Sequence, residues 1–278
     1  MSLFITSLNS GSNGNCYYIG NGQEAVLVDA GISCRETEKR MHRLGLSMQN
    51  VKAIFISHEH GDHIRGLQSI THKYKLPVYI TAPTMRHSRL ILGEAILQSF
   101  NAHQPVQIGG LSITAFPKLH DASDPHSFVI SGSGVTIGVF TDIGMPCENV
   151  IRYFKQCHAA FLEANYDEGM LERGRYPYHL KARIRGDKGH LSNEQALQLF
   201  KMHRPSFMTH LLLAHLSQDN NNPDLALQLF SMHSDTTNIV VASRHEETAV
   251  YQVMANSITK PAVKLKPARR HAVQASLF

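Results

Sequence analysis

The feature that most constrains this chain is the run His58-Glu-His-Gly-Asp-His63, which follows directly on the apolar segment 53–57. Three imidazoles and the Asp62 carboxylate so close together cannot be core packing. At the end of a strand they sit where a rigid sheet can hold functional groups on a loop. The H-x-H-x-D-H spacing is that of a metal site: His58 and His60, two apart, can face one ion, while Asp62 and His63 can reach a second. The chain carries 18 histidines without a His-rich tract, so some of them need a chemical explanation.

The surrounding pattern is that of an α/β domain. Residues 3–8, 16–19 and 25–29 read as strands separated by turn-rich stretches, and a helix opens at Ser33 with Glu36 three residues on, a capping box, and stops at Gly45. Strand 53–57, a helix from about 65 to 74, strand 78–81 and helical segments from 83 to about 100 follow. Strands at 111–116, 128–131 and 135–141, a helix at 146–156 and a strand at 159–164 begin a second half that resembles the first. Then come an irregular basic stretch, a helix capped by Ser192 with Gln195, strand 207–214, a helix opened by Pro223 and strand 239–242. No composition shift divides the chain before residue 255, which predicts one domain, 1–254, of two sheets flanked by helices, and a basic C-terminal tail, 255–278.

Composition narrows the class. Charged residues at 18% and hydrophobic residues at 42% are ordinary for a globular protein, and no segment approaches the run of roughly 20 apolar residues that a membrane helix needs. The opening residues lack a basic region followed by an apolar stretch, so a cytoplasmic location is expected. Cys16, Cys34, Cys147 and Cys157 have no paired C-x-x-C spacing, which fits reduced thiols better than disulfides or a thiolate zinc site. A net charge of +5 favours polyanionic partners such as nucleic acid or anionic lipid.

Two ions need donors from other strand ends. His120 follows the strand ending at Phe116, Asp142 ends strand 135–141, and His215 ends strand 207–214. Imidazole and carboxylate without thiolate suit zinc, with manganese as a substitute. Two ions about 3.5–4 Å apart can share a hydroxide nucleophile and clamp both oxygens of a phosphodiester in hydrolysis.

The H-x-H-x-D-H motif, Asp29 in Val-Asp-Ala-Gly, and the later His, Asp and His in that order resemble the metallo-β-lactamase superfamily, whose fold is a four-layered αββα sandwich. The resemblance implies that His58, His60 and His120 hold the first ion, that Asp62, His63 and His215 hold the second, and that Asp142 bridges. It places Asp29 behind the ligands, steadying a loop. A carboxylate replaces His60 in the diiron branch, so redox chemistry is disfavoured. Gly189-His-Leu-Ser-Asn193, with Leu162-Glu-Ala-Asn-Tyr-Asp167, resembles the phosphodiesterase branch that includes tRNase Z. By that likeness His190 gives a proton to the leaving oxygen or stabilises transition-state charge, and Asp62 joins it among the candidate catalytic residues.

Ser10-Gly-Ser-Asn-Gly-Asn15, Asp29-Ala-Gly-Ile-Ser33, His120-Asp-Ala122 and Glu163-Ala-Asn165 further resemble the YycJ/WalJ group of bacterial nucleases. That group implies a 5′-to-3′ exonuclease on double-stranded DNA. Arg175, Lys181, Arg183, Arg185 and Lys188, in the basic stretch 173–188, would track the DNA or RNA backbone. Residues 274–278, Gln-Ala-Ser-Leu-Phe, resemble the peptide by which replication and repair proteins dock on the bacterial sliding clamp, with Gln274, Ser276, Leu277 and Phe278 as its contacts. A glyoxalase II-like thioesterase and a non-catalytic adaptor are the rival readings.

Overall fold

The computed structural model describes residues 2–255. Strands β1 (Ser2–Asn9), β2 (Cys16–Gly20) and β3 (Ala25–Val28) form an antiparallel meander, to which β4 (Val51–Phe55), β5 (Val78–Tyr79) and β6 (Leu97–Gln98) add in parallel. The second sheet repeats the scheme. Strands β7 (Pro105–Ile108), β8 (Leu111–Pro117), β9 (His126–Gly132) and β10 (Val135–Phe140) are antiparallel, and β11 (Ala159–Glu163), β12 (His210–Ala214) and β13 (Asn238–Val241) continue in parallel. Strand β14 (Tyr251–Met254) returns to pair with β1, completing two seven-stranded sheets.

The helices that connect the first sheet are α1 (Cys34–Arg43), α2 (Gly61–Ile64), α3 (Leu67–Tyr74) and α4 (Ala82–Ser88). Those of the second are α5 (Glu148–Phe154), α6 (Glu168–Arg173), α7 (Tyr178–Arg185), α8 (Asn193–His203) and α9 (Pro223–Ser231). Strand alternation sorts their apolar side chains into layers. Ala53 and Phe55 of β4 face Phe161 of β11 and Leu212 of β12 in a core between the sheets. Ile54 turns outward onto Met41 of α1 and Leu67 of α3, while Leu162 and Leu213 turn outward onto Phe154, Phe200 and Phe230 of α5, α8 and α9. Three apolar seams between four layers make an αββα sandwich, and each fully buried Phe or Leu contributes roughly 1.5–3 kcal/mol. No helix among the described residues is long and apolar enough to cross a membrane.

Several sequence expectations are corrected. The segment after Pro83 is helical only to Ser88; a 3-10 turn at Glu94–Ile96 leads into β6 instead. Strands β7 and β14 escape a periodicity reading because both are four-residue edge strands. At Ser33 only half of the capping box forms: Ser33 Oγ accepts the Glu36 N–H, but the Glu36 carboxylate pairs with Lys39 and Arg40. The stretch read as an irregular basic loop is helical over α6 and α7. Leu171 and Ile184 there pack with Tyr166 in a small core of their own. Gln274, Ser276, Leu277 and Phe278 lie outside the described residues.

Candidate metal centre

Strand direction gathers the site. Parallel strands β3 and β4 end at Asp29 and at the His58–His63 run; β10, β11 and β12 run together and end at Asp142, Glu163 and His215. Strand β8 is antiparallel to β9, which is antiparallel to β10, so β8 points the same way and delivers His120 to the same rim. At three of these ends the chain turns through the left-handed region on a residue other than glycine: Asp29 (φ 61°), Asp142 (φ 53°) and His215 (φ 56°). Such backbone is costly and persists where neighbours hold it. The Asp29 N–H donates to Phe55 O (2.9 Å) and the His215 N–H to Ser10 Oγ (2.7 Å). The buried Lys118 ammonium donates to the carbonyl of Thr141 (2.6 Å), next to Asp142.

Each imidazole but one has a second partner that fixes its ring. His63 Nδ1 donates to Asp29 Oδ2 (2.7 Å), and Ser57 Oγ, donating to the same oxygen (2.9 Å), accepts from His58 Nδ1 (2.9 Å). His120 Nδ1 donates to Gly189 O (3.0 Å), and His215 Nδ1 to Glu163 Oε1 (3.0 Å). Their Nε2 atoms are thereby turned inward, the arrangement by which proteins orient metal-binding histidines. His60 presents Nδ1, 3.0 Å from His58 Nε2 and 3.4 Å from His120 Nε2.

Two triads result, His58, His60, His120 and Asp62, His63, His215, with the donor atoms within each lying within 4.8 Å of one another. Asp142 stands between them, Oδ2 3.2 Å from His63 Nε2 and Oδ1 3.8 Å from His120 Nε2. This donor set fits divalent cations. Nε2 of His58 and Nε2 of His120, whose Nδ1 atoms already donate, both bring a lone pair to His60 Nδ1, which carries at most one proton between them, and the buried Asp142 Oδ2 makes no hydrogen bond.

Electrostatics point the same way. Burial, with the neighbouring His63, pushes His58 well below the ordinary imidazole value, and burial brings His120 down to about 4. Burial alone would lower His63 and His215 too, but the carboxylates around them prevail. Asp142, Asp62 and Asp29 hold His63 well above its usual value, and Asp142, Asp62 and Glu163 raise His215 to about 10. Asp142 is itself held well below the usual carboxylate range, its burial overcome by His215 and His63. A pocket so rich in buried carboxylate draws in positive charge, whether protons or metal.

The other predicted residues divide. His190 lies beside the triads, its Nδ1 donating to Glu163 Oε1 (2.8 Å), and at 19% side-chain exposure it opens to solvent where His63, His120 and His215 do not. Of the five basic candidates, Arg183 is paired with Asp121 (2.6 Å), Arg185 with Glu168 and Glu172 (3.1 and 2.6 Å), and Lys181 with the Glu172 carbonyl (2.5 Å). Arg175 and Lys188 are exposed.

Sequence reasoning assigned no role to three polar residues that build the site. Glu163, fully buried, accepts from His190, His215 and the Ile143 and Leu191 N–H groups (2.6–3.3 Å). Burial would raise it, but His190 and its hydrogen bonds bring it down to about 2. Its signal is an acid at the end of the apolar segment Ala159-Ala-Phe-Leu-Glu163. Asn15 donates to Asp62 Oδ2 (3.1 Å) from a loop that was matched to the nuclease group without a role for this residue. Lys118 carries no local mark of its burial.

The comparisons with known proteins meet this geometry. Residues 24–215 match the family described as a beta-lactamase superfamily domain. The chain belongs to the metallo-β-lactamase superfamily. Within it, the chain is 34% identical to exodeoxyribonuclease YycJ of Bacillus anthracis over 229 residues, 81% of this chain and 87% of that protein. It is 30% identical to exodeoxyribonuclease WalJ of Streptococcus pneumoniae over 224 residues, 79% of this chain and 83% of that one. This metallo-β-lactamase-fold protein is therefore of the YycJ/WalJ group and is a metal-dependent hydrolase. Its fold is also that of YhfI from Bacillus subtilis, with a TM-score of 0.69 at 16% identity, covering 91% of this chain and 100% of that one.

Proposed function

We propose that this metallo-β-lactamase-fold hydrolase is a 5′-to-3′ DNA exonuclease that holds two divalent ions, zinc or manganese. His58, His60 and His120 would bind one, Asp62, His63 and His215 the other, and Asp142 both. The observation that carries the reading is the pair of triads meeting at one buried carboxylate beside a solvent-facing histidine. The relatives named exodeoxyribonuclease supply the substrate class. The ions, when bound, would activate water at neutral pH and neutralise the phosphodiester.

The chain's own groups do the rest. Glu163 fixes His190 through Nδ1, so Nε2 is the atom that hands a proton to the departing O3′ and stabilises charge on the phosphate as it does so. Asn15 holds the Asp62 carboxylate in place (3.1 Å). Arg175 and Lys188, exposed and without an ion pair among the described residues, are the best placed of the basic candidates to follow a phosphate backbone; Lys181, Arg183 and Arg185 would contribute less while held by protein partners. A cytoplasmic role in replication or repair, with residues 274–278 docking on a sliding clamp, rests on sequence alone. Fluorescence polarisation of that peptide against the clamp tests it.

The function is tested with a 5′-phosphorylated, end-labelled duplex and added Mn²⁺ or Zn²⁺. Stepwise shortening from the 5′ end, lost in Asp142→Ala and in His190→Ala, is expected. Thioester turnover without cleavage of DNA or RNA would overturn it.

A further inference from the structure

Beside His215 the ends of β12 and β13 and the loop after β1 enclose a cavity of about 290 Å³. Two of its wall residues adjoin the metal centre: Ser10 Oγ accepts the His215 N–H (2.7 Å), and Leu216 is the next residue along. Pro223 and Val241 give it apolar surface, while Ser217 and Arg244 are polar. Arg244 is the unusual member. Its Nη2 donates to Ser12 Oγ (3.2 Å), but Nη1 is buried without a hydrogen-bond partner, and no carboxylate pairs with the guanidinium among the described residues. A guanidinium without a carboxylate partner, its exposed edge held only by a hydroxyl beside a cavity, is matched best by the oxygens of a phosphate.

We propose that this cavity seats the 5′-terminal nucleotide of the strand being degraded, with its 5′-phosphate on Arg244 and its base against Leu216, Pro223 and Val241. The inference rests on the nuclease reading and adds what is recognised at the end. The volume, at the small end of the roughly 300–1,000 Å³ of ligand pockets, suits one nucleotide and not a duplex. A strand anchored there presents its first internucleotide phosphate towards His215. In hydrolysis the water oxygen bonds to phosphorus, the P–O3′ bond breaks, and O3′ leaves with a proton. The products are a nucleoside 5′-monophosphate and a shortened strand that again carries a 5′-phosphate. Every turnover thus regenerates the group the cavity binds.

The probe is deoxyadenosine 5′-monophosphate, titrated calorimetrically into the metal-depleted full chain so that bound ions cannot capture the phosphate, with deoxyadenosine beside it. The monophosphate is expected to bind one to one and at least about tenfold more tightly than the nucleoside, the scale of one charge-assisted contact. Arg244→Gln should erase that difference, and Val241→Phe, which fills the cavity, should weaken both ligands; thermal melts check that each variant is folded. With Mn²⁺ restored, the preference for 5′-phosphorylated over 5′-hydroxyl duplex ends should narrow in Arg244→Gln. Absence of monophosphate binding by the wild type, or binding that both folded variants retain, overturns the cavity assignment. A chain that shortens duplexes yet fails this titration loses only the cavity. One that binds the monophosphate but cleaves no nucleic acid overturns the nuclease reading, and the terminal-nucleotide role with it.

Discussion

Glu163 does more at the level of single residues than its place in an apolar strand announces. One carboxylate orients both His215, in a candidate metal triad, and His190 outside it. Glu163→Gln keeps the size but removes the charge, and because the rings donate to Oε1 while the Ile143 and Leu191 N–H groups donate to Oε2, its amide cannot accept from both sets. It should lower kcat about 10–100-fold with little change in KM, a loss typical of outer partners of metal ligands; steady-state kinetics alongside metal content would show it. Away from the site, burial of His210 against Tyr251 brings its pKa down to about 4. The unfolded imidazole takes up its proton near pH 6.5, so its contribution to stability is intact above that pH and is lost as pH falls towards 4. About 2 kcal/mol of acid destabilisation should disappear in His210→Phe, read as the difference in urea midpoints between pH 7.5 and 4.5. The candidate ligands stood out in the sequence because the H-x-H-x-D-H run concentrates them. Glu163, Asn15 and Lys118 did not, since a single polar residue shows its role only when a distant strand brings its partner.

Among the elements, the short helix α2 carries the donors Asp62 and His63, and its position depends on close backbone contact. The Ala30 N–H donates to His63 O (2.8 Å) and the Asn15 N–H to Asp62 O (2.7 Å), and a methyl group at Gly31 would overlap both Asp62 O and Asn15 N. Gly31→Ala should therefore displace α2, costing on the order of 3 kcal/mol by overpacking and lowering metal occupancy together. Urea denaturation and elemental analysis of the purified variant would test that; normal values of both would mean that the loop yields more easily than its hydrogen bonds indicate. The central strands and the helices capped by Ser33 and Ser192 could be read from periodicity and caps. Strands β6, β7 and β14 could not, because two to four residues at a sheet edge are defined by what pairs with them. Helices α6 and α7 were hidden by their charge, since much of it is consumed by ion pairs between the two helices.

At the scale of the whole molecule, the two sheets meet at the site. His58, His60, Asp62 and His63 come from the first sheet and His120, Asp142 and His215 from the second. Metal bound across that boundary should stabilise the folded state by mass action. Chelation with EDTA is expected to lower the melting temperature by several degrees, each kcal/mol being worth about 2–4 °C at this size; a scan unchanged by chelation would argue against tight binding at the triads. The meander-then-parallel order of each half was visible in the alternation of elements. The docking of the halves into an αββα sandwich was expected from the family resemblance, since the alternation alone does not say which face of each strand turns inward.

Each triad draws two members from the His58–His63 run and its third from far along the chain, at His120 or His215. During synthesis the ribosome releases the early donors long before the late ones. A nascent chain can therefore carry the whole first triad once His120 has emerged, but the second waits for the segment bearing His215. Products that stop short of His215 would therefore lack the third donor of the second triad.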